Sequence, residues 1–184
     1  KISLLFAAIT VVFAGILGTI IGLIAGLCGG GVDRLLMRLC DAVIALPLLP
    51  FLIVLSAIDP AALGLGDTGG QTRLMMLTLV IAAFAWPGVA RLCRAGAQST
   101  RKTDYVMAAR ALGVSPLRIA LRHILPVVAA PVIVALTLAT GQVILLESTL
   151  SFLGLGLQPP TASWGTMLNN AQNTIWSQPL LAVW

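Results

Sequence analysis

The sequence contains few charged residues: only 9% of its 184 residues are Asp, Glu, Lys or Arg. Soluble domains carry about a quarter, and so few charges could not cover a surface that faces water. This scarcity excludes an ordinary soluble protein. Hydrophobic residues make up 59% of the chain and the mean hydropathy is +1.03, so we expect lipid to be its main solvent.

Residue types that carry catalysis and metal binding are also scarce. The chain has one histidine and three cysteines without a CxxC pair, so neither a metal cage nor a disulfide framework is indicated. It contains no glycine-rich phosphate loop, no HExxH motif and no set of nucleophile, base and orienting group. We therefore expect no catalytic residue, no metal site and no cofactor, and any energy for transport must come from another protein.

The basic residues are concentrated in one stretch of the chain. Residues 91–122 contain seven basic side chains and one acid, a net charge of +6, so the rest of the chain sums to −1. A basic loop between apolar segments is typical of the cytoplasmic side of a membrane protein. This placement argues against nucleic acid as a partner and predicts that 94–124 is cytoplasmic.

Uncharged windows long enough to cross a bilayer lie between the charges. They predict an all-α, polytopic bundle of transmembrane helices with four complete spans and part of a fifth. The spans are expected at about 3–27, 38–58, 74–93 and 125–147, and from 179 onward.

We expect one transmembrane domain over 1–184, truncated at both ends. No methionine precedes Lys1, and the sequence stops at Trp184 inside an apolar run. Alternation of the spans places 148–178 outside the cell if 94–124 is inside.

Small residues recur at three- and four-residue spacings in the first span. Such a stripe lets helix backbones approach closely and predicts packing against another helix, unless it reflects the general abundance of glycine in membrane helices. Its members are Ala14, Gly15, Gly18, Gly22, Ala25 and Gly26.

The cytoplasmic loop is predicted to form two short helices. Thr103 or Asp104 can cap the first helix, and Gly113 suits a left-handed stop at its end. Ser115 followed by Pro116 is typical of the start of a second helix.

One face of the first short helix is apolar and made mostly of small side chains. Tyr105, Ala108, Ala109 and Leu112 fall at i, i+3, i+4 and i+7. This face suits a groove on another protein. The alternative is a helix lying on anionic headgroups.

Glu147 is exceptional because a carboxylate beside an apolar span is costly. It is expected near the outer end of its helix, either in the translocation path or gate, or in a structural hydrogen bond or interfacial position. Asp41 is expected to pair with Arg34 or Arg38 on its own helix. Prolines within the spans predict kinks, and these are Pro47, Pro50, Pro87 and Pro131.

The loop resembles the "EAA" loop of bacterial binding-protein-dependent ABC importer permeases. The resemblance lies in the spacing of Ala108-Ala109, Gly113 and Leu125-Pro126. In that family the loop forms a coupling helix that sits in a cleft of the ATPase subunit. Two positions depart from the pattern: Met107 occupies the usual glutamate position and His123 the usual isoleucine position.

A second segment resembles the outward-facing part of the "C-type" permease in dipeptide, oligopeptide and nickel systems. It comprises Glu147 with Leu150 to Gly156, then Pro159-Pro160 and Ser163-Trp164-Gly165. The resemblance implies a re-entrant stretch beneath a substrate-binding protein. The possible gate or outward residues are Glu147, Ser151, Phe152, Gly154, Gly156 and Trp164.

Together these resemblances imply a type I ABC importer permease in the bacterial inner membrane that imports di- or oligopeptides. The implied partners are a second permease subunit in a heterodimer, ABC ATPase subunits, an extracytoplasmic substrate-binding protein and the lipid bilayer. Nickel or another small solute is the alternative cargo. A stand-alone channel or secondary carrier is the rival from another class.

Overall fold

The computed structural model describes residues 2–56, 71–156 and 162–174. Every regular element within these residues is a helix, which confirms the predicted all-α class. In chain order they are α1 (Ile2–Cys28), α2 (Gly30–Ala45), α3 (Leu48–Ser56), α4 (Gln71–Thr100), α5 (Asp104–Ala111), α6 (Pro116–Ile119), a π-helical turn (Ala120–Ile124), α7 (Leu125–Phe152) and α8 (Trp164–Thr174).

Among the described residues, three helices are long and apolar enough to cross a membrane. They are Ile2–Cys28, Met75–Thr100 and Pro116–Phe152, the last of which runs through α6, the π-helical turn and α7. The interrupted pair α2 and α3 makes a fourth if it counts as one span. The span bounds expected from the charge gaps stay a prediction, and the span from 179 onward lies outside the described residues.

Backbone proximity divides the chain into two compact units. The terminal unit contains the described residues of 1–10, 47–81 and 140–184, and the central unit contains those of 11–46 and 82–139. The single domain expected over the whole chain stays a prediction.

In the central unit, the backbones of α1 and α4 lie close together. A Cβ atom placed on Gly18 would lie 2.7 Å from the carbonyl oxygen of Trp86, and one on Gly22 would lie 2.5 Å from that of Ala90. No side chain fits at these distances. The prediction that the small-residue stripe packs against another helix is therefore confirmed: its main partner is α4, and Gly15 meets Leu136 of α7.

The core of the central unit continues from the α1–α4 contact into the loop that follows α4. Buried side chains of α4, α5, α6, the π-helical turn and α7 pack into one cluster, so the loop is anchored on the same core as the long helices. The cluster comprises Leu23, Val89, Cys93, Ala97, Val106, Ala109, Ile119, Ile124, Val128 and Val132.

Proline has different effects at different positions of these helices. The residue before a proline disfavours the α conformation, and Leu46 accordingly takes an extended conformation that separates α2 from α3 at Pro47. Pro50 lies in the first turn of α3, where no helical N–H is lost. Helices α4 and α7 run through Pro87 and Pro131 as single elements.

Candidate functional site

Helix α5 has a buried side and an exposed side. Val106 and Ala109 are buried in the core of the central unit, whereas Tyr105 is 47% exposed and Met107 51%. Ala108 is exposed as predicted, but Ala109 is not part of the same exposed face. The three-residue step from Val106 to Ala109 places both side chains on the side that meets the core.

Gly113 ends α5 in the left-handed conformation that the sequence predicts, with φ of +76°. Its N–H donates to the carbonyl of Arg110 at 2.9 Å, and the N–H of Val114 donates to that of Ala109 at 3.1 Å. These two bonds form a Schellman motif, and Val114 packs against the core beside it. The chain reverses at this turn, and Leu112 is left 84% exposed at its tip.

The second half of the loop is a helix that widens before it enters the long span. Helix α6 begins at Pro116, as predicted. In the π-helical turn that follows, the N–H of Leu125 donates to the carbonyl of Ala120, five residues earlier. Pro126 explains the widening because it lacks an N–H and its ring would clash with the carbonyl four residues before it. Leu125 and Pro126 therefore lie at the start of α7.

Together, α5, the turn at Gly113, α6 and the π-helical turn are called the hairpin. Its exposed small and apolar side chains form what we call the hairpin surface: Tyr105, Met107, Ala108, Leu112, Leu117 and Leu121. Arg110, Arg118 and Arg122 are also exposed on the hairpin. Apolar side chains beside cations are typical of a surface that binds a partner protein or anionic headgroups, and the cations favour acidic groups on either.

His123, which replaces the isoleucine usual in the resembling loops, lies beside Tyr105 of α5. Its ring centroid is 6.3 Å from that of Tyr105, with the planes tilted by 47°. His123 is partly buried and Tyr105 is exposed. The histidine ring therefore packs beside Tyr105, one member of the hairpin surface.

A network of ionic and hydrogen bonds joins the start of α2 to the end of α4. The Arg94 guanidinium binds Asp33 through two nitrogens, with Nη2 2.6 Å from Oδ2. Gln98 Nε2 also donates to this Oδ2, at 3.2 Å. Arg101 Nη1 donates to the carbonyl oxygen of Gly26 at 2.9 Å, in the last turn of α1.

Sequence reasoning missed this network because its members are distant in the chain. One signal was present: Asp33 is one of only six acids in the protein, and it lies beside apolar segments where an unpaired carboxylate is costly. An acid so placed calls for a basic partner, and the stretch 91–122 contains most of the basic residues.

The predicted partner of Asp41 is wrong. The sequence suggested Arg34 or Arg38 on the same helix, but in the structure Asp41 pairs with Arg91 of α4. Both members of this pair are largely exposed. Tertiary packing of α2 beside α4 therefore overrides the helical spacing, which alone cannot reveal a cross-helix partner.

In the terminal unit, Glu147 is buried on α7 with 1% of its surface exposed. Its Oε1 accepts a hydrogen bond of 2.8 Å from Ser151 Oγ, one turn later. Its Oε2 is buried and has no hydrogen-bond partner among the described residues. A carboxylate with one unpaired buried oxygen is costly to keep.

Helix α7 ends directly after Ser151 through a second Schellman motif. Phe152 is its last residue, and Gly154 has φ of +77°. The N–H of Gly154 donates to the carbonyl of Ser151 at 3.1 Å, and that of Leu155 donates to Leu150 at 2.9 Å. Gly154 therefore lies where the helix ends, while Pro159 and Pro160 lie outside the described residues.

Helix α8 begins with a reciprocal capping box. Ser163 Oγ accepts from the N–H of Thr166 at 3.2 Å, and Thr166 Oγ1 accepts from the N–H of Ser163 at 2.8 Å. The N–H of Trp164 donates to Ser3 Oγ at 3.3 Å, which ties α8 to the first turn of α1. The Trp164 side chain itself is exposed.

Two glycines let the chain that follows α7 lie directly on that helix. A Cβ atom on Gly165 would lie 2.5 Å from the carbonyl oxygen of Ser148, and one on Gly156 would lie 2.7 Å from the backbone nitrogen of Ser151. Ser151 therefore lies against Glu147, Gly156 and Gly165. No group of three or more potential metal ligands occurs in the part of the chain that the structure describes.

The chain is similar to known membrane transport proteins. The model of the family described as "binding-protein-dependent transport system inner membrane component" matches residues 18–184. A candidate peptide permease protein of Brucella ovis is 40% identical over 174 residues, which cover 95% of this chain and 54% of the relative.

Two further relatives are similar over comparable lengths. A glutathione transport system permease protein of Pectobacterium atrosepticum is 34% identical over 183 residues, all of this chain and 57% of the relative. A candidate peptide transport system permease protein of Brucella suis is 43% identical over 168 residues, 91% of this chain and 53% of the relative. The chain thus spans about half the length of the curated relatives that it matches.

Proposed function

Because the chain belongs to the family of binding-protein-dependent transport system inner membrane components, we propose that it is part of the permease of an ATP-driven importer. It is a multi-pass protein of the cytoplasmic membrane. Permease subunits move the solute, while a separate subunit hydrolyses ATP. The observation that carries the proposal is the hairpin surface, an exposed apolar patch held on the core of the membrane helices.

The hairpin surface is proposed as the docking site for the ATPase subunit, on the cytoplasmic side with the rest of 94–124. Helix α5 is only two turns long, but it is held by Val106 and Ala109 in the core, so a push on its exposed side acts on α4 and α7. Closure of the ATPase would in this way move the long helices between inward-facing and outward-facing arrangements. The exposed arginines add attraction to an acidic cleft.

The cargo is proposed to be a di- or oligopeptide. The relatives in Brucella ovis and Brucella suis are named for peptides, and that in Pectobacterium atrosepticum for glutathione, itself a small peptide. A nickel ion or another small solute is the alternative.

The segment 148–178 is proposed to face outward, beneath a substrate-binding protein. Helix α8 is tied to α7 through Gly165 and to α1 through Ser3, which suits a platform that receives a docked protein. Glu147 lies below this platform and is proposed as part of the gate. Its buried carboxylate couples to the segment through Ser151, on which Gly156 packs.

A second permease subunit is proposed to complete the translocation path. Many large apolar side chains of α7 are exposed along its length, because contacts within the described residues bury only a small part of this helix. A heterodimer would place part of this surface against the partner and the rest against lipid. The exposed side chains include Ile133, Val134, Leu138 and Leu145.

Capture of the ATPase subunit by the full-length protein tests the docking assignment. Ala108→Glu adds bulk and negative charge on the exposed side of α5 and is expected to abolish capture and transport. Ala109 is a poor target because it is buried, and its replacement would disturb the fold. Met107→Glu adds the same charge at the neighbouring exposed position and restores the acid usual in the resembling loops, so it should retain capture.

The outcomes separate the competing functions. If Ala108→Glu leaves capture and transport unchanged, the hairpin surface does not dock the ATPase. If transport proceeds without any ATPase subunit, the protein is a channel or secondary carrier. Equal loss in Ala108→Glu and Met107→Glu would mean that charge on α5, and not the place of Ala108, determines capture.

A further inference from the structure

We propose that Arg94 and Arg101 are positioning residues that transmit movement of the hairpin to the joint between α1 and α2, which lies at Gly29 to Gly31. The inference rests on the proposed function, because it concerns how ATP-driven movement at α5 reaches the first two helices. Neither arginine belongs to the loop motif or to the hairpin surface. Arg94 lies in the last turns of α4 and Arg101 directly follows that helix, and their side chains bind the helices on either side of the joint.

Arg101 is placed where α4 is joined to the hairpin. Only residues 101–103 separate α4 from α5, and backbone bonds tighten this link. The N–H of Arg101 donates to the carbonyl of Ala97 at 3.0 Å and that of Thr103 to Thr100 at 3.1 Å. Thr103 Oγ1 donates to the same Thr100 carbonyl at 2.7 Å. These hydrogen bonds restrain residues 101–103, so displacement of α5 should also displace Arg101.

The Arg101 side chain binds the end of α1. Its Nη1 donates to the carbonyl oxygens of Gly26 at 2.9 Å and Leu27 at 3.4 Å, two of the groups that a helix end leaves unpaired. A cation at a helix C-terminus is also favoured by the helix dipole. Movement of the link thus pulls directly on the last turn of α1.

Arg94 binds the beginning of α2. Its guanidinium holds both oxygens of Asp33, which lies in the first turn of that helix, and Gln98 donates to one of them. Two parallel charge-assisted bonds fix direction as well as distance. The start of α2 is therefore constrained to follow α4.

The joint itself is a suitable hinge. Gly29 and Gly30 have φ of +64° and +58°, a conformation that other residues rarely take. A Cβ atom on Gly30 or Gly31 would meet nothing within 4 Å, so packing does not hold this part of the chain. The two arginines supply the side-chain bonds that hold the helices on either side of it.

A matched control exists between the same two helices. Arg91 of α4 pairs with Asp41 of α2, but this pair is exposed, and Asp41 lies about three turns along α2 from the joint. An exposed ion pair contributes little to stability. If any ionic link between α2 and α4 were sufficient for transmission, loss of this pair would have the same effect as loss of the Arg94 pair.

The test uses the full-length protein in its complex, reconstituted in proteoliposomes with the ATPase, the second permease subunit and peptide-loaded binding protein. ATP hydrolysis and peptide uptake are measured together. Arg94→Gln and Arg101→Met should still capture the ATPase, whereas uptake per ATP hydrolysed should fall about fivefold or more, as expected for loss of a coupling contact. Arg91→Gln should match the unchanged protein.

Rescue separates transmission from folding. The charge exchange Asp33→Arg with Arg94→Asp should restore uptake per ATP, and Arg101→Lys, which keeps the charge and a donating nitrogen, should lose less than Arg101→Met. Unchanged uptake per ATP in Arg94→Gln and Arg101→Met, or an equal loss in Arg91→Gln, would overturn the inference alone. Failure of the unchanged protein to capture the ATPase would overturn the proposed function, and the inference with it.

Discussion

Glycines determine how closely α1 approaches α4. In a membrane, where lipid is as apolar as a helix surface, close backbone packing replaces the hydrophobic effect as a source of association. Gly18, Gly22 and Gly26 each bring α1 so close to α4 that a Cβ atom would meet its backbone or side chains within 2.7 Å. The contact therefore depends on the absence of side chains at these positions.

Gly22→Ala should destabilise the protein because its Cβ would lie 2.5 Å from the Ala90 carbonyl oxygen and 2.6 Å from Cys93 Cβ. The expected cost is about 1–3 kcal/mol, the range for overpacking a tight core. It is measured as a fall in the thermal unfolding midpoint in detergent. Gly88→Ala is the control, because nothing lies within 4 Å of that Cβ. Equal falls would show that the close approach does not limit side-chain size.

The sequence predicts the importance of a single residue where that residue type is unusual for its surroundings or is needed to end a helix. Glu147 is conspicuous in an uncharged region, and Gly113 lies where a helix must stop. The burial of Ala109 was not predictable, because periodicity identifies a face without saying which face meets the core. The partners of Asp33 and Asp41 could not be predicted either, since both lie on another helix.

The α5–α6 hairpin is an element whose shape depends on one turn. The Schellman motif at Gly113 sets the direction in which α6 leaves α5. The hairpin surface contains residues from both helices, so its outline changes if that direction changes. A substitution that never touches the partner can therefore weaken docking.

Gly113→Ala should weaken capture of the ATPase subunit. A residue with a Cβ pays about 1–2 kcal/mol in the left-handed conformation, which corresponds to a factor of roughly 5 to 30 in an equilibrium. Gly113→Asn should lose less, because asparagine tolerates this conformation better. The measurement is the affinity of purified ATPase for the full-length protein. Identical affinities for the glycine and alanine forms would mean that the turn does not control docking.

Helices were easier to predict than the joints between them. Long apolar windows indicate helices, and Pro47 indicates a break. Helix α2 begins at Gly30, and its charged residues are accommodated by pairing with α4 or by exposure, while the span start at 38 stays a prediction. The π-helical turn was missed since its hydrogen-bond pattern depends on how the chain relaxes around Pro126.

The charge pattern determines how the whole protein is expected to lie in the membrane. Two of the seven basic residues in 91–122 are paired with acids of α2, namely Arg91 and Arg94. The others exceed the single acid of this stretch, so the hairpin side remains positive. Pairing thus reduces the charge asymmetry without reversing it, and the preference for basic residues on the cytoplasmic side still applies.

Labelling of single cysteines in intact cells tests this orientation. Leu168→Cys, on the exposed side of α8, should react with a membrane-impermeant maleimide from outside, whereas Met107→Cys should react only after the membrane is permeabilised. Both positions are exposed, so accessibility alone cannot explain a difference. Cys28 is exposed and is first replaced by serine. The reverse pattern would show that the proposed sidedness is wrong.

The π-helical turn has a consequence for everything that follows it in α7. A helix of 3.6 residues per turn advances by about 100° per residue. The extra residue enclosed by the Leu125–Ala120 bond therefore rotates all later side chains by about that angle relative to an uninterrupted α-helix. A chain one residue shorter here could stay fully helical and still turn Val128 and Val132 away from the core. The direction of every later side chain of α7 therefore depends on the number of residues in this turn as well as on their chemical type.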